Sequence, residues 1–274
     1  MSRAVLRPWP HALIRRLRRR RGTSPRPTDR GIRALPFILL ALALAGCPED
    51  VKDAFPKSVG YQPLTYCPQV EVAWPTDPVD PCPEVLSVTS APGCGGELNP
   101  DKWVVTNHAH GRAYLKASLL AVWSTMQPTH QGDPNWIRLC KTGGGDDAWT
   151  VPGSQCADSW SWLPGEEPEF PVSFRMQYHK DEIISVDWVH VWRQGPLEGT
   201  VAAPLAVGAR YQKTLGIENL RVQTTSYVLR PAPNDTCTSI EMVGWLDADR
   251  TDYTTVAGTL QNAYNLLKLG VHTP

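Results

Sequence analysis

A chain of 274 residues with 27 Lys and Arg against 27 Asp and Glu looks neutral, yet residues 1–46 hold 11 of the basic residues and one of the acidic ones. Residues 47–274 therefore carry 16 basic against 26 acidic side chains, net −10. That sign repels phosphate backbones and anionic headgroups, which argues against nucleic acid as a partner.

The first element is the uncharged run Ala34 to Gly46, 13 residues behind the arginine-rich stretch IRRLRRRRG. A helix needs about 20 apolar residues to cross a hydrocarbon core, so this run does not span a membrane. It is apolar all round, unlike a core helix with one buried face. A charged stretch leading into a short apolar one is the pattern of a secretory signal, removed before folding. The paired arginines also fit twin-arginine export, and the long basic segment also fits a start further along the chain.

The run ends in Leu44-Ala45-Gly46-Cys47, which resembles the lipobox of bacterial lipoproteins at all four positions. The resemblance implies that residues 1–46 are cut away, that Cys47 becomes the acylated first residue, and that the membrane is a partner through it. A multiply acylated Cys supplies the two signals stable anchoring needs. The expected location is the periplasmic side of the cell envelope. Pro48 after the Cys leaves sorting open, with the outer membrane favoured over the inner.

Six cysteines remain: Cys67, Cys82, Cys94, Cys140, Cys156 and Cys237. An even count in an oxidising compartment suggests disulfides, with 15 possible pairings. The expected arrangement joins the near neighbours Cys140 and Cys156 and uses two of Cys67, Cys82 and Cys94 to staple the preceding segment. Without Cys-x-x-Cys pairs a thiolate metal site is not expected.

Residues 47–100 hold ten prolines. Proline lacks the N–H that helices and central strands require, so this segment reads as an extended tether. One domain is expected over residues 101–274. GRAYLKAS reads as a strand running into the helix SLLAVWSTMQ, capped by Ser118 and ended by Pro128. Residues 128–170, rich in Gly, Pro and Trp, read as a long inserted connection stapled by its two cysteines.

Strands come next. VSFRMQYHK alternates Val172, Phe174, Met176 and Tyr178 against polar neighbours, and IISVDWVHVWRQG puts Ile184, Val186, Trp188, His190 and Trp192 on one face. ARYQKTLGI, RVQTTSYVLR and CTSIEMVGWL are further strands, the last two separated by the turn PAPND. The closing segment repeats Val256, Leu260, Tyr264 and Leu267 at helical spacing, with Gly270 placed as a stop.

Strand, short helix, antiparallel strands and long terminal helix, with YLKASLLAVWSTM near the start and TSIEMVGWLDA to VAGTLQNAYNLLKLGV at the end, resemble the START-like (SRPBCC) helix-grip superfamily. That implies an α+β fold in which a curved antiparallel sheet wraps the terminal helix around an apolar cavity. It also implies a small hydrophobic ligand, a lipid above all. The expected lining is Phe174, Met176, Tyr178, Trp188, His190, Trp192 and Met242. The stripe Trp188, His190, Trp192 fits an ordinary core as well as a cavity wall, the two overlapping where a cavity replaces core.

Other chemistry is thin. His108 and His110 in NHAHG lie two apart as metal ligands would, without a third, and an exposed strand edge explains them equally. VPGSQC lacks the context that exposes a nucleophile, and GGGDD lacks the Lys and Ser/Thr of a phosphate loop. Neither an enzyme activity nor a cofactor is expected. The alternative function is an envelope interaction or structural lipoprotein without a ligand cavity, whose protein partners the sequence does not identify.

Overall fold

The computed structural model describes residues 60–99, 102–142, 156–163, 169–180, 186–216, 220–232, 236–248 and 251–273. The signal segment, Cys47 and Ile184 lie outside them, as do the side chains of Cys94 and Val186.

Eight strands form one antiparallel sheet: β1 (Leu86–Asn99), β2 (Lys102–Leu115), β3 (Ser159–Trp162), β4 (Val172–Lys180), β5 (Val186–Gly199), β6 (Pro204–Gly216), β7 (Leu220–Pro231) and β8 (Thr238–Ala248). Their order across the sheet is β1-β2-β8-β7-β6-β5-β4-β3. Three short helices, α1 (Leu119–Thr125), α2 (Pro128–Gln131) and α3 (Pro134–Thr142), come after β2, and α4 (Tyr253–His272) closes the chain. The sheet curves around α4, the helix-grip arrangement.

The helix forms where its apolar spacing puts it. Val256, Leu260, Tyr264 and Leu267 are all buried against the sheet, and Asp252 caps the start by accepting from the N–H groups of Thr254 and Thr255, satisfying two otherwise orphaned donors. Gly244 on β8 lets the helix come close: a Cβ there would lie 3.2 Å from Leu260 Cδ2 and from Val256 Cγ1. Gly270 does not stop the helix, which runs on to His272. It is a contact point instead, since a Cβ at 270 would sit 3.1 Å from Thr125 Cβ and from His130 Nε2.

The proline-rich segment is not a tether as far as residue 100. The sheet begins at Leu86, and the stretch from Gly60 lies on the sheet's outer face. The Leu64 N–H donates to Ser226 Oγ at 2.8 Å, Trp245 Nε1 donates to Thr65 O at 3.2 Å, and Tyr66 stacks on His110 at 3.9 Å. Between Pro83 and Pro92 the chain is free of proline and can pair. Pro92 falls where the register between β1 and β2 shifts, at a sheet edge, the position proline tolerates.

Cys140 and Cys156 are joined as their spacing suggested, whereas Cys82 pairs with Cys237, 155 residues away. That bond ties the incoming segment to the start of β8, a partner no local spacing indicates. Cys67 is disulfide-bonded too. The inserted connection is also more ordered than a loop: it carries α2, α3 and the edge strand β3, whose Trp162 pairs with Phe174.

Candidate functional site

Between the concave face of the sheet and the later turns of α4 lies a partly open cavity of about 60 Å³. Strand alternation builds its wall. Positions two apart share a face, so β5 presents Trp188, His190 and Trp192 together, β4 adds Tyr178, and β6 and β7 add Tyr211 and Tyr227. Leu266 and Leu267 of α4 face them, and Met126 and Gln131 close the end beside α1 and α2. The rings pack on one another: Tyr178 stacks on Trp188 at 5.4 Å, His190 on Tyr211 at 4.5 Å, and Trp192 lies 4.8 Å from Tyr211.

Of the residues singled out from the sequence, Tyr178, Trp188, His190 and Trp192 line this space. Phe174, Met176 and Met242 belong to the packed core, with Phe174 stacked behind Trp192 at 5.9 Å. Tyr211 and Tyr227 were not singled out. The same alternation that marked β4 and β5 would have found them, because Tyr211 shares a face with Ala209, and Tyr227 with Thr225 and Leu229.

The polar groups of the wall are few. His190 Nε2 lies 3.1 Å from Gln223 Oε1, an acceptor, so the ring carries its hydrogen on Nε2 and offers Nδ1 as a bare acceptor. Burial, with the charge of nearby Lys213 acting the same way and the Gln223 bond opposing, pushes the imidazole down to about 3. The ring is therefore neutral. His190 Nδ1 and Trp188 Nε1 have no hydrogen-bond partner and are sealed from solvent. Trp192 Nε1 lies by the Tyr178 hydroxyl without completing a hydrogen bond. Burial raises Tyr211 to about 12 and lifts Tyr178 and Tyr227 well above the ordinary phenol range, so all three are neutral. Lys213, opposite His190 in the β5–β6 register, is pushed down to about 8 by burial, and its ammonium donates to Leu220 O.

One buried side chain that sequence reasoning missed holds the end of the cavity. Gln194 is completely buried. Its Oε1 accepts from Trp123 Nε1 at 2.9 Å and from Gln127 Nε2 at 3.1 Å, and its Nε2 donates to Met126 O at 2.8 Å. A polar residue on the Trp188-His190-Trp192 face was the available signal: buried there, it had to find partners, and α1 and the residues after it supply them.

The histidines of NHAHG lie on the opposite, outer face. His110 accepts from the Val72 N–H at 3.3 Å through Nδ1 and donates from Nε2 to Glu241 at 3.0 Å, while His108 stacks on Trp245 at 4.9 Å. His110 thus holds the 60–85 segment through Nδ1 and is itself fixed to β8 through Nε2. The hydrogen bond from His110, then the Arg112 guanidinium, keeps the Glu241 carboxyl below its ordinary range.

No family model and no curated protein matches the chain. Solved structures do. Human STARD10 is 7% identical over 69% of this chain and 70% of its own, with a TM-score of 0.39. A START superfamily protein from Mycobacterium smegmatis is 10% identical over 59% and 94%, with a TM-score of 0.37. The Zhui aromatase/cyclase from Streptomyces sp. R1128 is 9% identical over 61% and 92%, with a TM-score of 0.35. The similar structures thus include one named as a START superfamily protein and one named as an aromatase/cyclase.

Proposed function

We propose that this protein is a lipid-anchored protein of the cell envelope whose helix-grip domain binds or carries a small apolar molecule, a lipid in the first instance. The observation that supports it is the wall of the cavity. Trp188 Nε1 and His190 Nδ1 are buried there without partners, on a sheet face of tyrosine and tryptophan rings opposite Leu266 and Leu267. A finished core seldom leaves such atoms unpaired, and each unpaired one costs about 1–3 kcal/mol. A ligand with an apolar body and a hydroxyl or carbonyl satisfies them.

The space of about 60 Å³ is well below the roughly 300–1,000 Å³ of ordinary ligand pockets. Both atoms are also sealed from it, so occupancy requires the aromatic wall or α4 to move. The same small volume favours the second reading, an envelope interaction or structural lipoprotein that holds no ligand.

Native mass spectrometry of the protein extracted from its own membranes separates the two. A bound species of discrete mass, lost from a Tyr227→Trp variant that fills the cavity, supports binding. A bare protein whose tryptophan fluorescence is also unmoved by the lipid extract of those membranes supports the structural reading. Anchoring through Cys47, with the domain in the periplasm and the outer membrane favoured, is tested by labelled palmitate. Incorporation into the wild type but not into Cys47→Ser supports it, and equal or absent labelling overturns it.

A further inference from the structure

The β5–β6 hairpin has an unusual tip. Thr200 and Ala203 exchange both backbone hydrogen bonds at 3.2 Å, and Thr200 Oγ1 also accepts from the Ala203 N–H at 3.1 Å. This makes a tight turn with Val201 and Ala202 at its point. Such turns usually take Asn, Asp or Gly. Here residues 201–205 read VAAPL, with Val201 50% and Leu205 64% exposed. The turn chemistry sits on the shoulders, Gly199 at φ 84° and Thr200, so the exposed apolar side chains at the point are not demanded by the turn, and such departures from a local rule concentrate where function demands them.

The register places several other exposed apolar residues on the same rim, Val79 and Tyr253 excepted. Leu86 opposite Ala113, Leu115 opposite Thr238, Pro204 opposite Gly199 and Phe174 opposite Trp162 all lie at one end of the sheet. Exposed Val85 precedes β1, Leu120 comes after β2 and Trp162 ends β3 at that end, while Tyr253 sits at the other.

The incoming chain reaches the domain at the same end. The Tyr61 hydroxyl donates to Pro196 O at 3.3 Å, and Tyr61 covers the opposed pair Gly195 and Gly208, where a Cβ would come within 2.6 Å of it. Those glycines are four residues from the ends of the hairpin, roughly 13 Å along the strands. Gly60 is 13 positions after Cys47, a reach of at most about 45 Å. This rim is therefore the end of the sheet nearer to a Cys47 acyl anchor.

We propose that the tip of the β5–β6 hairpin, Val201 to Leu205, inserts into the bilayer that carries the anchor and fixes the domain's orientation on it. The proposal rests on the lipid-anchor reading for its geometry. The tip is far smaller than the total buried area of about 1,200–2,000 Å² typical of stable protein interfaces, which favours lipid over a protein partner. The charges on its shoulders cancel, Arg230 donating to Glu198 at 2.6 Å. The net −10 of the chain after residue 46 disfavours anionic headgroups, so the partner is neutral lipid.

The test uses the mature chain carrying Cys47→Ser, which has no acyl group, floated with vesicles of neutral phosphatidylcholine. Partitioning is expected for this protein. It should fall about tenfold or more for Val201→Asp with Leu205→Asp, fall less for Val201→Ser with Leu205→Ser, and be unchanged for Tyr253→Ser. Urea midpoints identify any variant that has lost its fold, and the serine pair then decides. Absence of partitioning, or equal partitioning of the folded tip variants, overturns the proposal. Palmitate labelling reads the anchor separately, so either idea can fail while the other stands.

Discussion

Mild acid should destabilise this domain through His190. In the folded protein the imidazole is held at about 3, against 6.5 when unperturbed. Between those values the unfolded chain binds a proton that the folded chain refuses. The neutral ring's stability is thus fully present above 6.5 and is lost progressively as pH falls toward 3. At about pH 5, some 1.5 units below the unperturbed value, the loss is about 2 kcal/mol. The ring cannot relieve it locally: Tyr178, Trp188 and Tyr211 surround it, and its nearest charge is the Lys213 ammonium. The assay is urea unfolding at about pH 7.5 and about pH 5, comparing wild type with His190→Asn. Both proteins lose the same carboxylate contributions, so their difference isolates the imidazole. The wild type should lose about 2 kcal/mol more than the variant over this interval. Parallel losses would refute the argument and place the ring in contact with water.

The two mapped disulfides should differ in worth. Cys82–Cys237 spans 155 residues and Cys140–Cys156 spans 16, so loop-closure entropy assigns about 5 kcal/mol to the first and about 3 to the second. Urea midpoints of the two paired Cys→Ala variants check the order, and a larger loss from the short loop contradicts it. Gln194→Leu should cost about 2–4 kcal/mol, since it strands the Trp123 and Gln127 donors and the Met126 carbonyl in a dry site. Calorimetric unfolding reads this, and an unchanged melting temperature would mean that water reaches the network. Leu260→Ala, beneath the closest approach of α4 to β8, should cost about 2–5 kcal/mol by chemical denaturation. A loss below about 1 kcal/mol would show that the helix settles into the space.

Periodicity carried the order of elements. The two-residue repeat of β4 and β5 and the helical repeat of Val256, Leu260, Tyr264 and Leu267 are local properties of the chain, and they also assign the face each element buries. Four of the six sheet residues of the cavity wall came from the same rule: Tyr178, Trp188, His190 and Trp192. The alternation on β6 and β7 implied Tyr211 and Tyr227 too, but no polar partner drew attention to them. The proline count misled over residues 86–99, because a sheet edge accepts proline where a central strand does not, and strand position is invisible until neighbours are known.

What the sequence determined alone is therefore what repeats within a few residues: strand and helix identity, inward faces, the Ser118 cap, and the short Cys140–Cys156 loop. Tertiary structure alone decided whatever joins distant segments. Examples are Cys82 with Cys237, the 60–85 segment held on His110, Arg112 and Ser226, Gln194 answering α1, and the narrow space left between the rings. The physical reason is that side-chain period depends on backbone geometry of neighbouring residues, whereas pairing across the sheet and the volume remaining beneath α4 depend on how whole elements pack together.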